Sequence, residues 1–206
     1  MSDRAYERAK RALDLAVASS VSVLASPLLA AIAIAIKLES AGPVFFSQER
    51  VGRHGRAFEI VKFRSLTVGP GRNPADYLIS ASDQRITRVG AFLRRWSLDE
   101  LPQLWNVIRG EMSIVGPRPT LRYQVEQYDE FQRRRLEVLP GITGWAQVTG
   151  RNALSWPDRI ELDVWYVDHR SLWLDLRILA ATLPTLVRPS SIYGDAQGDW
   201  GESRRP

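Results

Sequence analysis

The sequence predicts a small, helix-rich mixed α/β domain with a membrane helix at its N-terminus, a short β-hairpin and amphipathic helices at a membrane surface. Three observations lead to this prediction. Residues 15–36 form a run of 22 positions without a charged side chain. Residues 43–51 and 57–65 are rich in aromatic and β-branched residues and flank a glycine-containing turn. Residues 100–109 place apolar side chains, Trp105 among them, at the spacing of one helical face.

The N-terminal run decides the membrane prediction. A straight helix of 22 residues is about 33 Å long, which is enough to cross a bilayer and longer than the apolar part of an ordinary signal peptide. Pro27 lies near its middle, where it removes a backbone donor and obstructs the carbonyl of Val23. The helix should therefore kink or break there, with Ser26 bonding a freed carbonyl. On residues alone, a kinked spanning helix is favoured over a break.

The length of 206 residues suits one domain plus an anchor. We predict an arm and membrane helix at residues 1–40, a folded domain at residues 41–188 and a polar, flexible tail at residues 189–206. Within the domain, residues 172–187 are apolar but interrupted by charges and a proline. With Trp173, they suit a helix lying in the membrane interface.

The charge balance indicates an anionic partner. The net charge is +5, which fits nucleic acid, an acidic membrane surface or phosphorylated substrates. Nucleic acid is disfavoured because the aromatic residues are not interleaved with the basic ones as stacking platforms. The chain has no cysteine, so disulfides, thiol catalysis and cysteine metal sites are excluded.

Two segments carry basic side chains whose role the sequence leaves open. Lys62 and Arg64 are two positions apart on the second strand and point to one face, where they would grip a diphosphate or simply be solvated. Spacing alone favours the solvated interpretation. Residues 120–136 are predicted to be helical and end in three arginines, Arg133 to Arg135. These would meet anionic headgroups or form a solvated face, and neither is favoured.

A carboxylate pair lies at the predicted start of the helix at residues 100–109. Asp99 is placed near the N-cap, Pro102 is tolerable in the first turn, and Gly110 ends the helix. A helix N-terminus favours phosphate, and Asp99 with Glu100 would need a cation between them and a phosphate, most plausibly Mg²⁺. In the alternative interpretation, Asp99 only caps the helix, and the negative charge of Glu100 interacts favourably with the helix dipole.

Two arginines flank this pair in the sequence. Arg118 lies between two prolines, which limit its backbone freedom and suit bidentate phosphate binding. Arg94 ends the preceding short helix, where a cation suits the helix C-terminus but would also stabilise an ionised Asp99.

Four motifs in these segments resemble a known family. SLDELPQLWNV (residues 97–107) and MSIVGPRP (residues 112–119) look like the signature of the bacterial sugar transferases, the monotopic phosphoglycosyl transferases. KFRS (residues 62–65) and LPGITGWAQVTGRN (residues 139–152) are also similar to family motifs, and the glycines of the last motif would let backbone approach a ligand closely.

The resemblance, which runs from about residue 20 to about residue 188, implies an activity and a place in the cell. Family members transfer a sugar phosphate from a UDP-sugar to polyprenyl phosphate at the cytoplasmic face of the bacterial inner membrane. The break at Ser26-Pro27 would then make the membrane helix re-entrant, reversing the preference for a spanning helix. The implied partners are the UDP-sugar, polyprenyl phosphate and a bilayer with anionic lipids. A homo-oligomer is left open, and so is the sugar.

The resemblance also implies roles for individual residues. Asp99 would attack the phosphate next to the sugar, release UMP and hold the phosphosugar covalently, while Glu100 would help to hold Mg²⁺ (or Mn²⁺) or handle a proton. The side chains implied in substrate and phosphate binding are Lys62, Arg64, Arg94, Arg118, Arg151, Asp163 and Asp175. The two aspartates have structural ion pairing as an alternative role.

The competing hypothesis is a non-catalytic function. The protein would then be a monotopic membrane protein whose arginines bind anionic lipid or a polyphosphate, and Asp99 would only cap a helix.

Overall fold

The computed structural model describes residues 3–67, 83–150 and 154–187. It confirms a helix-rich mixed α/β fold with a short antiparallel hairpin. The helices are α1 (Asp3–Leu24), α2 (Ser26–Glu39), α3 (Arg88–Arg95), α4 (Gln103–Arg109), α5 (Arg122–Glu126), α6 (Glu130–Arg133), α7 (Trp145–Thr149), α8 (Trp156–His169) and α9 (Leu172–Val187). The strands are β1 (Phe45–Val51), β2 (Ala57–Phe63), β3 (Ser113–Val115) and β4 (Gly141–Thr143).

The N-terminal helix breaks where the sequence predicts it. The axes of α1 and α2 differ by 60°, and the Ser26 hydroxyl donates to the Val23 carbonyl at 2.8 Å, which is the carbonyl that Pro27 leaves without its helical donor. Among the described residues, no single helix is long and apolar enough to cross a membrane. The bent pair of α1 and α2 meets both criteria only when taken together.

Helix α1 packs into the body of the protein as far as Ala18. Ala18 is completely buried in the main core, together with residues from β2, α4, β3, α8 and α9. The Arg11 guanidinium donates to the carbonyls of Val107 and Ile108 at 2.6 and 2.9 Å, and so caps the end of α4. The predicted arm is therefore tied to the domain that follows it.

Helix α4 is shorter than predicted, and Leu101, Leu104 and Ile108 of its predicted apolar face pack against the core. It begins at Gln103 and ends at Arg109, and the positive φ of 82° at Gly110 gives the predicted glycine stop. Gln103, Leu104, Asn106 and Val107 are buried, whereas Trp105 is 53% exposed. The prediction that Trp105 belongs to the buried face was wrong. The buried face instead includes the polar side chain of Asn106, which bonds to strand β2.

Strands β3 and β4 pair in parallel and hold the Pro-Arg-Pro turn. A Cβ on Gly141 would lie 2.1 Å from the Gly116 nitrogen, and a Cβ on Gly144 would lie 2.2 Å from the Gly116 oxygen. The predicted close approach of these glycines is therefore to backbone and not to a ligand. It fixes the turn in which Arg118 lies.

The basic segment before β4 is not one continuous helix. It forms α5, α6 and a short 3₁₀ turn, Arg134–Glu137. Arg134 pairs with Asp168 on the surface, while Arg135 is 2% exposed and paired with Asp163 inside the protein. For Arg135, both alternatives from the sequence, a headgroup contact and a solvated face, were wrong.

Candidate active site

The carboxylate pair lies in a 3₁₀ turn and not at the start of a longer helix. Ser97 has a φ of 55°, so the chain turns sharply after α3 into the turn Leu98–Glu100. Pro102 precedes α4, and the Leu104 amide is already bonded to the Leu101 carbonyl at 3.1 Å. The prediction of Asp99 at an N-cap was wrong, and the nearby positive charge comes from side chains.

Glu100 is held by two cations. Lys62 Nζ and Arg118 Nη2 both donate to its Oε1 at 2.7 Å, and Arg118 Nη1 reaches Oε2 at 3.4 Å. The Glu100 side chain is 15% exposed. Burial opposes its charge, but Arg118 and Lys62 outweigh burial and hold the pKa of Glu100 well below its ordinary value. A carboxylate with a low pKa is a weak base, which argues against a proton-handling role for Glu100.

Asp99 has the opposite electrostatic environment. Its partly buried carboxylate accepts no hydrogen bond from residues 3–67, 83–150 or 154–187. Burial, followed by repulsion from Glu100, raises the pKa of Asp99, and Lys62, Arg94 and Arg118 only partly offset this rise. The expected stabilisation of ionised Asp99 by neighbouring cations is therefore only partial in the ligand-free protein, because Lys62 and Arg118 are already bonded to Glu100.

Arg94 lies in the last turn of α3, where its charge acts on Asp99. The structure thus brings four predicted residues around Asp99: Lys62 from the hairpin, Arg94 from α3, Glu100 from the 3₁₀ turn and Arg118 from the Pro-Arg-Pro turn. They come from four separate segments, and together they give a partly exposed site with three cations and two carboxylates.

Arg64 does not join this site. Its guanidinium is buried and donates to the carbonyls of Ala41 and Ser40, and to the Ser40 hydroxyl at 3.0 Å. These contacts secure the chain that leaves α2. The expectation that Arg64 shares a face with Lys62 fails because β2 ends at Phe63, so the strand alternation stops before Arg64.

Asp163 also lies in the interior. It pairs with Arg135, which donates in turn to the Tyr128 hydroxyl at 2.6 Å and to the Arg118 carbonyl at 2.9 Å. The side chains of Asp163 and Arg135 are only 3% and 1% exposed. Asp163 therefore has the structural ion-pair role that the sequence left as an alternative. Through Arg135 it supports the backbone of Arg118.

Asp175 is likewise enclosed. Tyr166 donates to it at 2.7 Å, and Tyr6 and Lys10 donate at 3.0 Å each. Its side chain is 1% exposed. Asp175 joins α1, α8 and α9, and substrate has no access to it in this structure. The last predicted phosphate ligand, Arg151, lies outside the described residues.

Asn106 supports the site and was missed at the sequence level. Its amide donates to the Glu59 carbonyl and to Glu111 at 2.7 Å each, and its oxygen accepts from the Val61 amide at 3.2 Å. These bonds fix α4 against the strand that carries Lys62. The only signal in the sequence was a polar residue between the apolar residues Trp105 and Val107.

The donor set fits a divalent cation shared with a phosphorylated ligand. In the described parts of the chain, no group of three or more histidine, aspartate or glutamate side chains is placed to hold an ion. Asp99 nevertheless offers a carboxylate that accepts no hydrogen bond within the described ranges, and Mg²⁺ is often bound by one or two carboxylates plus substrate phosphates. The residues present fit Mg²⁺ in this shared form and not in a protein-only cage.

Comparisons with known proteins agree with the motifs. The model of the bacterial sugar transferase family matches residues 5–189. An uncharacterized sugar transferase of Bacillus subtilis, EpsL, is 46% identical over 84% of this chain and 85% of its own length.

Two longer relatives carry more specific names. A UDP-N-acetylgalactosamine-undecaprenyl-phosphate N-acetylgalactosaminephosphotransferase of Aeromonas hydrophila is 44% identical over 88% of this chain. A UDP-glucose:undecaprenyl-phosphate glucose-1-phosphate transferase of Escherichia coli is 43% identical over 84% of it. The matches span only 44% and 39% of these two relatives. By the family model and by the EpsL comparison, the chain belongs to the bacterial sugar transferase family.

Proposed function

We propose that this protein transfers a sugar 1-phosphate from a UDP-sugar to polyprenyl phosphate and releases UMP. The names of the Aeromonas and Escherichia relatives, which pair a UDP-sugar with undecaprenyl phosphate, support this reaction. The observation that carries the proposal is the Asp99 carboxylate, which no described residue bonds, beside a Glu100 that Lys62 and Arg118 already neutralise.

The proposed first step is nucleophilic attack by an Asp99 carboxylate oxygen on the phosphorus next to the sugar. The bond from this phosphorus to the UMP oxygen breaks, and UMP leaves with the electron pair. The phosphosugar is then held as an acyl phosphate on Asp99. In the second step an oxygen of polyprenyl phosphate attacks the same phosphorus, and the electron pair of the breaking bond returns to Asp99.

The neighbouring side chains have separate roles in this proposal. Lys62, Arg94 and Arg118 offset negative charge on the transferred phosphate. Glu100 stays ionised and keeps the Lys62 ammonium and the Arg118 fork in place. When the diphosphate enters, these cations are already oriented, so little reorganisation is needed during the displacement.

We also propose a requirement for Mg²⁺, or Mn²⁺ in its place, held by Asp99 and Glu100 together with the diphosphate. The cation would neutralise phosphoryl oxygens during the displacement. It would also favour the ionised form of Asp99, whose pKa is raised in its absence. Activity should disappear in excess chelator and return with added Mg²⁺. Full turnover in chelator would contradict the metal assignment.

The proposed location is the cytoplasmic face of a bacterial inner membrane. The bent pair would enter and leave by the same leaflet, with Ser26 and Pro27 at its deepest point. Its exposed apolar side chains support this, including Val23 and Leu24, which are 71% and 81% exposed. On α9, Trp173 is 76% exposed and would lie in the membrane interface.

The central experiment is a UMP-release assay with a panel of UDP-sugars and polyprenyl phosphate. Wild-type protein should release UMP with at least one sugar, and Asp99→Asn should abolish release because an amide is not a nucleophile. Glu126→Gln, an exposed change on α5, is the control and should retain activity. Unchanged turnover in Asp99→Asn would exclude Asp99 as the nucleophile. No UMP release by the wild type with any UDP-sugar would favour the non-catalytic, anion-binding alternative.

The covalent step is tested without polyprenyl phosphate. The two-step route allows up to one equivalent of UMP per enzyme, exchange of labelled UMP into UDP-sugar, and a mass increase of one phosphosugar on the Asp99 peptide. If UMP release and exchange both strictly require polyprenyl phosphate, attack is direct and Asp99 is at most a metal ligand.

A further inference from the structure

A second charged cavity lies between the first half of α1 and the body of the protein. Its volume is about 220 Å³. The charged part of its lining consists of Glu7, Lys10, Arg11, Asp14, Arg53 and Arg170. None of the residues proposed for catalysis lines this cavity, so the reaction proposed above leaves it without a role.

The lining favours an anion. Four cationic and two acidic side chains line it, and Asp175, which does not line the cavity, pairs with Lys10 at 3.0 Å, so the formal charge of the group is +1. The Asp14 carboxylate is turned to β3, where it accepts from the Ser113 hydroxyl and the Ile114 amide at 3.0 Å each. Burial raises the pKa of Asp14, although Lys10 and the bonds from β3 oppose this rise. The cations are therefore offset only in part.

Two guanidinium groups in the lining keep unused donors. Arg170 Nη1 donates to the Val167 carbonyl at 2.8 Å, whereas its Nε is buried without a hydrogen-bond partner in the described parts of the chain. Arg53 Nε donates to the Glu137 carbonyl at 2.9 Å, and its Nη1 lies 3.4 Å from Glu7. A buried donor without a partner is costly, and an oxyanion in the cavity would supply acceptors.

The size of the cavity limits the ligand. Pockets for drug-sized molecules measure about 300–1,000 Å³, so this cavity suits a single phosphate group better than a nucleotide sugar. Guanidinium groups are the side chains whose geometry best matches phosphate.

The position of the cavity along α1 suggests that a lipid headgroup could supply the phosphate. Asp14 lies eleven residues before the break at Ala25, which is about 16 Å along a helix. This equals about half the thickness of the hydrocarbon core of a bilayer. If the break lies near the midplane, as the membrane location proposed above requires, the cavity opens at the depth of the lipid headgroups.

We propose that this cavity binds a phosphate group, either as the free anion or as the headgroup of an anionic phospholipid. The lipid source rests on the proposed membrane location. The anion site itself rests on the lining of the cavity and on the unpaired donor of Arg170.

The free-anion arm is measured on the full chain in neutral detergent. Inorganic phosphate should raise the Tm relative to sodium chloride of equal ionic strength, because a ligand of the folded state stabilises it. Arg170→Gln and Arg53→Gln should lose this rise. Arg56→Gln, an exposed change in the same loop as Arg53, should keep it. Arg118→Gln should also keep it, which separates the cavity from the catalytic cations.

The lipid arm uses nanodiscs of phosphatidylcholine with and without phosphatidylglycerol. A Tm rise that needs phosphatidylglycerol, is absent with free phosphate and is lost in Arg170→Gln assigns a lipid headgroup. A rise with free phosphate that is lost in the same variant assigns a soluble anion. Equal shifts in wild type and both cavity variants, or no shift in either arm, overturn the proposal. UMP release measured on the same samples reports separately on the proposed function.

Discussion

At the scale of single residues, the surroundings of Asp99 and Glu100 shift the pKa values of these two carboxyl groups in opposite directions. Glu100 accepts hydrogen bonds from Lys62 and Arg118, which lower its pKa. Burial and repulsion from Glu100 raise the pKa of Asp99. Environments that separate two adjacent carboxyl groups in this way assign them different tasks. Here they leave Glu100 as a fixed anion and disfavour the charged form of Asp99 in the ligand-free protein.

The raised pKa of Asp99 predicts that Asp99→Asn stabilises the ligand-free protein at neutral pH. A carboxyl group whose pKa is higher in the folded state costs stability once it is ionised, and the cost is complete above the folded pKa. It vanishes below the ordinary aspartate value of about 3.9. The Tm of Asp99→Asn should therefore exceed that of wild type at pH 8, and the gap should close as the pH falls towards 4.

Thermal unfolding in detergent from pH 4 to pH 8 measures this effect. Each kcal/mol released raises the Tm by about 2–4 °C in a chain of this size. Glu126→Gln, which changes an exposed glutamate on α5, is the control and should show no such gap. A wild-type Tm above that of Asp99→Asn throughout this range would show that Asp99 is stabilised in its ionised form.

A second residue-scale prediction concerns the shape of the Arg118 side chain. Its fork reaches both oxygens of Glu100, at 2.7 and 3.4 Å, and a lysine at this position reaches only one of them. Arg118→Lys should therefore lower kcat by about 100-fold, the size expected for loss of one oriented donor in a transition state.

The matched control is Arg122→Lys, four positions away, where an exposed arginine meets Glu49 at 3.2 Å. This variant should retain wild-type turnover in the UMP-release assay. Near-wild-type turnover in Arg118→Lys as well would remove Arg118 from the catalytic site.

At the scale of elements, the sequence predicts what depends on near neighbours. The Ser26-Pro27 break, the hairpin and the Gly110 stop each follow from a few adjacent residues, and each is present in the structure. The segmentation of the basic stretch was missed because Arg135 leaves the surface to meet Asp163, 28 positions away. That partner is invisible in a local pattern.

The buried pair of Arg135 and Asp163 supports a prediction about stability. Arg135 also donates to the Arg118 carbonyl at 2.9 Å, so it braces the Pro-Arg-Pro turn. Asp163→Asn should lower the free energy of unfolding by about 3–5 kcal/mol, because a buried guanidinium is left without its counter-charge. Chemical denaturation of the detergent-solubilised protein measures this loss.

The adjacent arginine provides the control for this measurement. Arg134 pairs with Asp168 on the surface, where both side chains are about 40% exposed (38% and 41%). Asp168→Asn should therefore cost no more than about 1 kcal/mol. Equal losses of unfolding free energy in Asp163→Asn and Asp168→Asn would mean that the buried pair stabilises the fold no more than the surface pair does.

At the scale of the whole molecule, the N-terminal helix belongs to the domain that follows it. Asp175 accepts a hydrogen bond from Tyr6, 169 positions away, and from Lys10, 165 positions away. Separations of this size explain why the sequence placed Asp175 among phosphate ligands. They also explain why it predicted the cluster around Asp99 only through family motifs, since Lys62, Glu100 and Arg118 come from three distant segments.

This attachment leads to a prediction about topology. Because the first half of α1 is held against α4, α8 and α9, the N-terminus must lie on the same side of the membrane as the folded domain. A basic arm and a basic domain both resist translocation, which favours the cytoplasmic side for each. The chain has no cysteine, so Ser2→Cys and Ser203→Cys each introduce a single thiol at one end of it.

An impermeant thiol reagent distinguishes a re-entrant pair from a spanning helix. Both thiols should be labelled only after the cells are opened, since a bent pair returns the chain to the side from which it entered. Labelling of Ser2→Cys in intact cells would instead show that α1 and α2 together span the membrane.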